Sequence, residues 1–417
     1  IVTATTHLGT WQIPLADRHI IARRTIHIES IENDLHGVIL ITGEIEEDRT
    51  QPIDDTALSW LHAFCGNHSL PLLIEADGSR QKPLKAPAEH EPVIPDFIEQ
   101  VVQVVGLTGL GKPLGEEFVH RPEIFSRLSG LKLGEVITPE ALARILMHPN
   151  GGLKNIPERV RRVVLLNQAD TPELQSQADN IVKNLLSTYD SVHIDSLKEE
   201  KIHAVREPIA GIILAAGESQ RFGQLKQLIN WRGEPFIRAV AKTALEAGLS
   251  PVIVVVGAHA KQVEIAVEDL PVQIAQNSEW QRGQASSIQA GLSILTTPLC
   301  NSVTSPPFPS RKWGRLGGSI FLLADQPQIT PPILHALIDK HAATLDPIIA
   351  PLILEQRGNP VLFDRVTFPD LMKLEGDVGG RGIFSKHKVS YLPWHDDSLL
   401  LDADTPEHYQ RLKDLLE

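Results

Sequence analysis

The chain has 417 residues, room for two or three domains, and its 42% hydrophobic and 22% charged residues are the balance of a globular protein rather than a disordered one. A formal net charge of −13 argues against nucleic acid as the main partner, because binding a phosphate backbone needs clustered Lys and Arg, yet it leaves room for a local cationic pocket around a triphosphate. The two cysteines, Cys65 and Cys300, make neither a disulfide framework nor a zinc site and suit a reducing cytoplasm. Apolar runs such as residues 252–256 are far too short to cross a bilayer, so no membrane partner is expected.

The chain opens on the strand-like Ile1-Val2-Thr3, which reads as a start inside a domain, with further sequence expected before it. Short β-branched runs then alternate with helical patterns. Strands are expected at 37–42, 70–75, 100–105 and 162–166 in the first half, and at 211–214, 251–256, 319–323 and 347–350 in the second. Continuous apolar strands separated by helices predict parallel sheets covered on both faces, so the fold class is α/β with two doubly wound domains. The charged stretch 197–208 ends in proline just before a new apolar strand and reads as a linker, giving domains at 1–196 and 209–417. Residues 301–318, rich in Ser, Pro, Arg and Gly, read as a long surface insertion.

In the first half, Glu75 and Asp77 follow an apolar strand and precede Gly78, a placement suited to metal–phosphate contact. Gly106-Leu-Thr-Gly-Leu-Gly-Lys112 has the spacing of a phosphate loop, but Pro113 stands where a Ser or Thr hydroxyl would reach Mg²⁺, and it removes one N–H from the cradle. Asn167, Gln168 and Asp170 follow a strand in a pattern similar to the Asn-Lys-x-Asp base-reading motif of GTP-binding proteins, with Gln168 in place of the lysine. None of His7, His90 and His120 has metal-ligand spacing.

The strongest signal lies in the second half. An apolar strand runs into Leu214-Ala215-Ala216-Gly217, followed by Arg221, Gly223 and Lys226. Small residues let backbone N–H groups approach phosphate oxygens, and the two cations can neutralise a triphosphate. Asp325, in Asp325-Gln326-Pro327, sits at the carboxyl end of another strand, where open α/β sheets bind ligands. Gly358-Asn359-Pro360, then Gly376 to Arg381, then Asp402-Ala403-Asp404-Thr405-Pro406-Glu407 follow in order.

These motifs resemble the MobA-like nucleotidyltransferase superfamily over about 209–417, which implies a Rossmann-like fold. Within it they resemble the MocA-like molybdenum cofactor cytidylyltransferases. Ala216 favours cytosine over guanine, since the guanylyl-transferring relatives tend to carry glycine there; His408 departs from the pattern. The resemblance implies attack by a phosphate of a molybdopterin-type cofactor on the α-phosphate of CTP, with loss of pyrophosphate and with Mg²⁺ as cofactor. It implies that Lys226, Arg221 and Asp325 are catalytic. Asp325 and Asp404 would hold the metal, with Asp402 the alternative to Asp404. Leu214, Ala215, Ala216, Gly217, Gln284, Ser286 and Ser287 would line the nucleotide site, and Gly358, Asn359, Pro360, Asp377 and Arg381 the acceptor site. Guanylyl transfer, another phosphorylated acceptor, or a chaperone carrying the cofactor to a molybdenum hydroxylase apoenzyme are the alternatives. Residues 1–196 resemble the YqeC family, linked to selenium-dependent molybdenum hydroxylases, whose phosphate loop lies upstream of the stretch equivalent to residues 2–6.

Overall fold

The computed structural model describes residues 1–22, 30–218, 220–221, 224–296, 315–401 and 410. Contacts divide the chain into two units, Ile1–Tyr189 with Ile194–Lys201, and Asp190–His193 with Ile202–Glu417. Among the described residues no helix is long and apolar enough to cross a membrane.

In the first unit, β1 (Val2–Ala4), β2 (Arg18–Ile21), β3 (Ile39–Thr42) and β4 (Leu73–Glu75) form a four-stranded sheet ordered β2-β3-β1-β4. Its three pairings are all parallel. Helix α1 (Asp55–His68) starts where the Asp54 side chain accepts the Ala57 N–H, and it covers the sheet with Leu58, Leu61 and Phe64. A second parallel ladder joins β5 (Gln100–Gly106) to β6 (Arg161–Asn167), which leads into α2 (Pro172–Leu185).

The second unit is built on β7 (Ile209–Ala215), α3 (Phe236–Glu246), β8 (Val252–Val256), α4 (Ala260–Val267), β9 (Gln273–Gln276), α5 (Gln284–Thr296), β10 (Gly318–Leu323), α6 (Pro331–Thr344), β11 (Ile348–Ile353), β12 (Gln356–Arg357), β13 (Val361–Asp364) and β14 (Val389–Pro393). The strands form an eight-stranded sheet ordered β9-β8-β7-β10-β13-β11-β12, with β14 also paired to β11. All five β8 residues are buried, because the period of two sends alternate side chains to opposite covered faces. Ile213, Val254 and Leu322 pack on one face with Ile237 and Val240 of α3, Val263 of α4 and Leu334 of α6. Ile212, Ile253, Val255 and Phe321 pack on the other with Ile288 and Leu292 of α5.

The expected parallel sheet is corrected here to a mixed one. Strand β13 runs antiparallel to both neighbours, β10 and β11, so the sheet holds one parallel set of β9, β8, β7 and β10 and a separate parallel pair of β11 and β14. An apolar run has the same composition in either direction, and its orientation depends on where the chain returns.

Candidate active site

From β7 the chain passes through α3 to β8 and on to β9, then returns through α5 to place β10 on the other side of β7. The carboxyl ends of β7 and β10 therefore flank a switch point, where the loops on either side diverge and leave a crevice. The loop after β7 supplies Ala216 and Gly217, and the turn after β10 supplies Ala324 and Asp325. The Ala324 N–H donates to Leu214 O at 3.2 Å, which ties the two strand ends together.

A cleft of about 330 Å³ opens at this point. Of the residues the sequence nominated, Leu214, Ala216, Gly217, Lys226, Gln284, Ser287, Asp325 and Asp377 line it. Lys226 lies in the short 3-10 turn Lys226–Leu228, is 4% exposed, and its Nζ donates to Asp325 Oδ2 in an ion pair. Ala215 is buried just beneath the loop.

Helix α5 forms another wall. Its first N–H, from Gln284, donates to Asp377 Oδ1 at 3.2 Å, and the Ala285 N–H donates to Gly376 O at 3.2 Å. The Gly376–Asp377 segment thus satisfies helix N–H groups that would otherwise lack partners. Gly283 permits the approach: its φ is +97°, and a Cβ there would stand 2.6 Å from both Asp377 N and Gly376 C. Ser286 and Ser287 are buried on the first turn, and only Ser287 reaches the cleft.

Gly358, Asn359, Pro360 and Arg381 do not line this cleft. They are near one another, since Arg381 Nη2 donates to Arg357 O at 3.1 Å. The Arg221 side chain, Asp402 and Asp404 lie outside the described residues. Sequence reasoning missed Gln227, Trp280 and Asn277. Gln227 and Trp280 line the cleft, and Asn277 holds both serines through Nδ2, at 2.9 Å to Ser286 Oγ and 3.0 Å to Ser287 Oγ. The one signal for Asn277 was its position directly after β9, at the carboxyl end of a parallel strand.

The first unit carries a separate charged cluster. Lys85 pairs with Asp77, and Arg121 grips Glu91 with two bonds of 2.6 and 2.7 Å. Burial raises the carboxyl pKa of Glu75, with Asp77 adding to the shift, and burial also raises that of Asp77. Burial opposes ionisation of Glu91 too, but Arg121, the Ala88 N–H and Lys85 outweigh it and hold that carboxyl at about 2. In the 106–112 loop the N–H groups of Gly106, Leu110 and Gly111 donate to Pro83 O, Leu107 O and Ile137 O, so they are spent on protein carbonyls rather than on a phosphate cradle. Asn167 Oδ1 accepts from the N–H groups of Gln168 and Leu197.

Residues 211–391 match the family described as the MobA-like NTP transferase domain, and residues 1–123 match the YqeC family. The second unit carries a MobA-like nucleotidyltransferase domain. This transferase domain is joined to a YqeC-family region, and the YqeC protein of Escherichia coli K12 is 43% identical over 97 residues, 23% of this chain and 38% of that protein. The chain therefore aligns with well under half the length of that relative. The purine catabolism protein PucB of Bacillus subtilis is 29% identical over 227 residues, 50% of this chain and 98% of PucB. The nicotine blue oxidoreductase of Paenarthrobacter nicotinovorans is 28% identical over 215 residues, 49% of this chain and 96% of that protein.

Proposed function

We propose that the second unit transfers a cytidylyl group from CTP to a phosphate of a molybdopterin-type cofactor, releasing pyrophosphate, with Mg²⁺ as the divalent cation. The observation that carries the reading is the Lys226–Asp325 pair in the cleft at the ends of β7 and β10. A buried lysine and a strand-end carboxylate side by side supply one group for phosphate oxygens and one for a cation. Without ligands each neutralises the other, and a metal–triphosphate complex brings charges that can replace both partners.

The residues present suit a hard divalent ion. Mg²⁺ takes one or two carboxylates with substrate phosphates and water, and no group of three or more His, Cys, Asp or Glu side chains poised for a metal occurs among the described residues. Asp325 would hold it, with Asp404 or Asp402 as the second carboxylate. Such an ion supplies charge neutralisation on the phosphates. The chain's own part is positioning: the small residues Ala216 and Gly217 let the loop come close to the phosphates, Lys226 meets their oxygens, and α5 presents Gln284 and Ser287 to the nucleotide. Arg221 would add a second cation. Gly358, Asn359, Pro360, Asp377 and Arg381 would serve the acceptor, whose chemistry rests on the resemblance in sequence.

The domain division at 197–208 belongs to the same proposal, as does a cytoplasmic setting, which the buried free thiol of Cys65 suits. The test is pyrophosphate release by the purified chain with Mg²⁺, a molybdopterin-type acceptor and each of the four nucleoside triphosphates. Release with CTP above the others is expected; release with none of them overturns the reading.

A further inference from the structure

The sheet of the second unit has an open edge at β9, which among the described residues pairs with β8 alone. The Asn277 N–H donates to Val256 O at 2.8 Å, and backbone groups alternate sides along a strand, so those of Ile274 and Gln276 turn away from β8 to the open side. Proteins usually blunt such an edge with charge, proline or brevity, because its unpaired N–H and C=O groups recruit another strand. The far side of this sheet is blunted: β12 has two residues, one of them Arg357, and β14 ends in Pro393. Strand β9, Gln273-Ile274-Ala275-Gln276, carries neither charge nor proline.

A groove of about 570 Å³ lies along this edge, between β9 and α4. Lys261, Glu264, Ile265 and Glu268 line it from the helix side, and Ile274 and Gln276 from the strand. The helix-side residues share one face at the 3.6-residue period, while Val263 and Val267 on the opposite face are buried and hold the helix to the core. Ile265 is 57% exposed. On either side of it stand Lys261 and Glu268, opposite in charge, and neither has an ion-pair partner among the described residues. Glu264 accepts from Gln276 Nε2, and Asp269 is gripped by Arg238, so the neighbouring acids are already spent.

The row of cation, apolar residue and anion is its own complement when turned end for end. We propose that this edge binds a second copy of the chain about a two-fold axis perpendicular to the sheet. Strand β9 pairs antiparallel with β9 of the second copy, Ile274 opposite Ile274, and the backbone groups that face the open side exchange hydrogen bonds. Opposite residues in an antiparallel pair share a face, so both Ile274 side chains stay in the joined groove. The same axis sets the two α4 helices antiparallel, with Ile265 beside Ile265 and each Lys261 near Glu268 of the other copy. A contact of this kind uses the same patch on both copies and closes on itself, which gives a dimer with one continuous sheet. The proposal does not depend on the transferase reading of the cleft.

The experiment is sedimentation velocity of the whole chain over a dilution series, beside amide hydrogen exchange. A dimer with a dissociation constant in the micromolar range or below is expected, and exchange across 273–276 should slow as concentration rises. Ile265→Glu sets two added carboxylates against each other at the axis and is expected to weaken the dimer at least about 100-fold. Lys261→Glu acts twice by symmetry and is expected to weaken it at least about tenfold. The double swap Lys261→Glu with Glu268→Lys is expected to restore the dimer to within about threefold of the parent, which a loss of fold could not do. A monomer throughout the series, a dimer that Ile265→Glu leaves intact, or a double swap no tighter than Lys261→Glu alone overturns the proposal. Exchange across 273–276 that ignores concentration while a dimer forms also overturns it, because the copies then meet elsewhere.

Discussion

Lys226 and Asp325 are 99 residues apart in the chain and form an ion pair in the fold. Asp325→Asn removes the charge and keeps the volume, so the fold should survive while pyrophosphate release falls by about 10³-fold or more. Release within a few-fold of the parent would show that Asp325 is not a metal ligand. Lys226→Ala should raise the nucleotide KM and lower kcat together, which initial-rate kinetics would check. Two groups of the first unit set opposing pH dependences. Burial, then Arg121, Arg80 and Lys85, lower His120 from 6.5 to about 4. Between those values the unfolded chain holds a proton that the folded chain has released, so stability falls as pH drops from about 6.5 to about 4. Burial raises Asp195 from 3.8 to about 6, so there the folded chain keeps the proton; that contribution is present below about 3.8 and is lost as pH rises through about 6. In urea denaturation, His120→Asn should flatten the acid limb, and Asp195→Asn should be more stable than the parent at pH 8. The same pH slope in parent and variants would remove these residues from the account.

At the scale of elements, the amino end of α5 is where two separated sequence motifs meet. Asp377 Oδ1 caps Gln284 N, and Gly283 lets the 376–377 backbone approach. Asp377→Ala should lower stability by about 1 kcal/mol, the usual worth of a helix cap, while Asp377→Asn should retain most of it. Gly283→Ala adds strain at φ +97° and a Cβ against backbone, so it should cost about 1–3 kcal/mol and also weaken nucleotide binding through Gln284 and Ser287. Chemical denaturation beside CTP titration checks both. A Gly283→Ala chain that is destabilised yet binds CTP like the parent would uncouple this helix end from the site.

At the scale of the whole molecule, PucB aligns over 98% of its own length with 50% of this chain. A polypeptide of that extent thus exists without a first half like this one. The fragment 202–417 should therefore fold and release pyrophosphate at a rate within a few-fold of the full chain. The measurement is a melting curve and a turnover assay on the fragment. A fragment that folds but does not turn over would assign the first unit a part in the reaction.

The sequence by itself determined the central strands and which residue types stand beyond their ends. Runs such as 252–256 and 320–323 are β-branched or apolar throughout, which leaves burial on both faces as their stable state, and small or charged residues after such runs mark where a sheet opens to ligand. That local logic reached Ala216, Gly217 and Asp325, and motif spacing reached Lys226. Tertiary structure alone decided the rest. The direction of β13 depends on its return path, not on its residues. Gln227 and Asn277 are ordinary amides until Gly217 O and the two serine oxygens arrive from other elements to fix which of their atoms are spent. Asp377 carries no local sign of a helix partner, and the fold sets its Oδ1 against the N–H of Gln284, 93 residues away in the chain. Hydrogen-bond capacity belongs to a residue type and can be read from sequence, whereas its use is a property of position, which long-range packing sets.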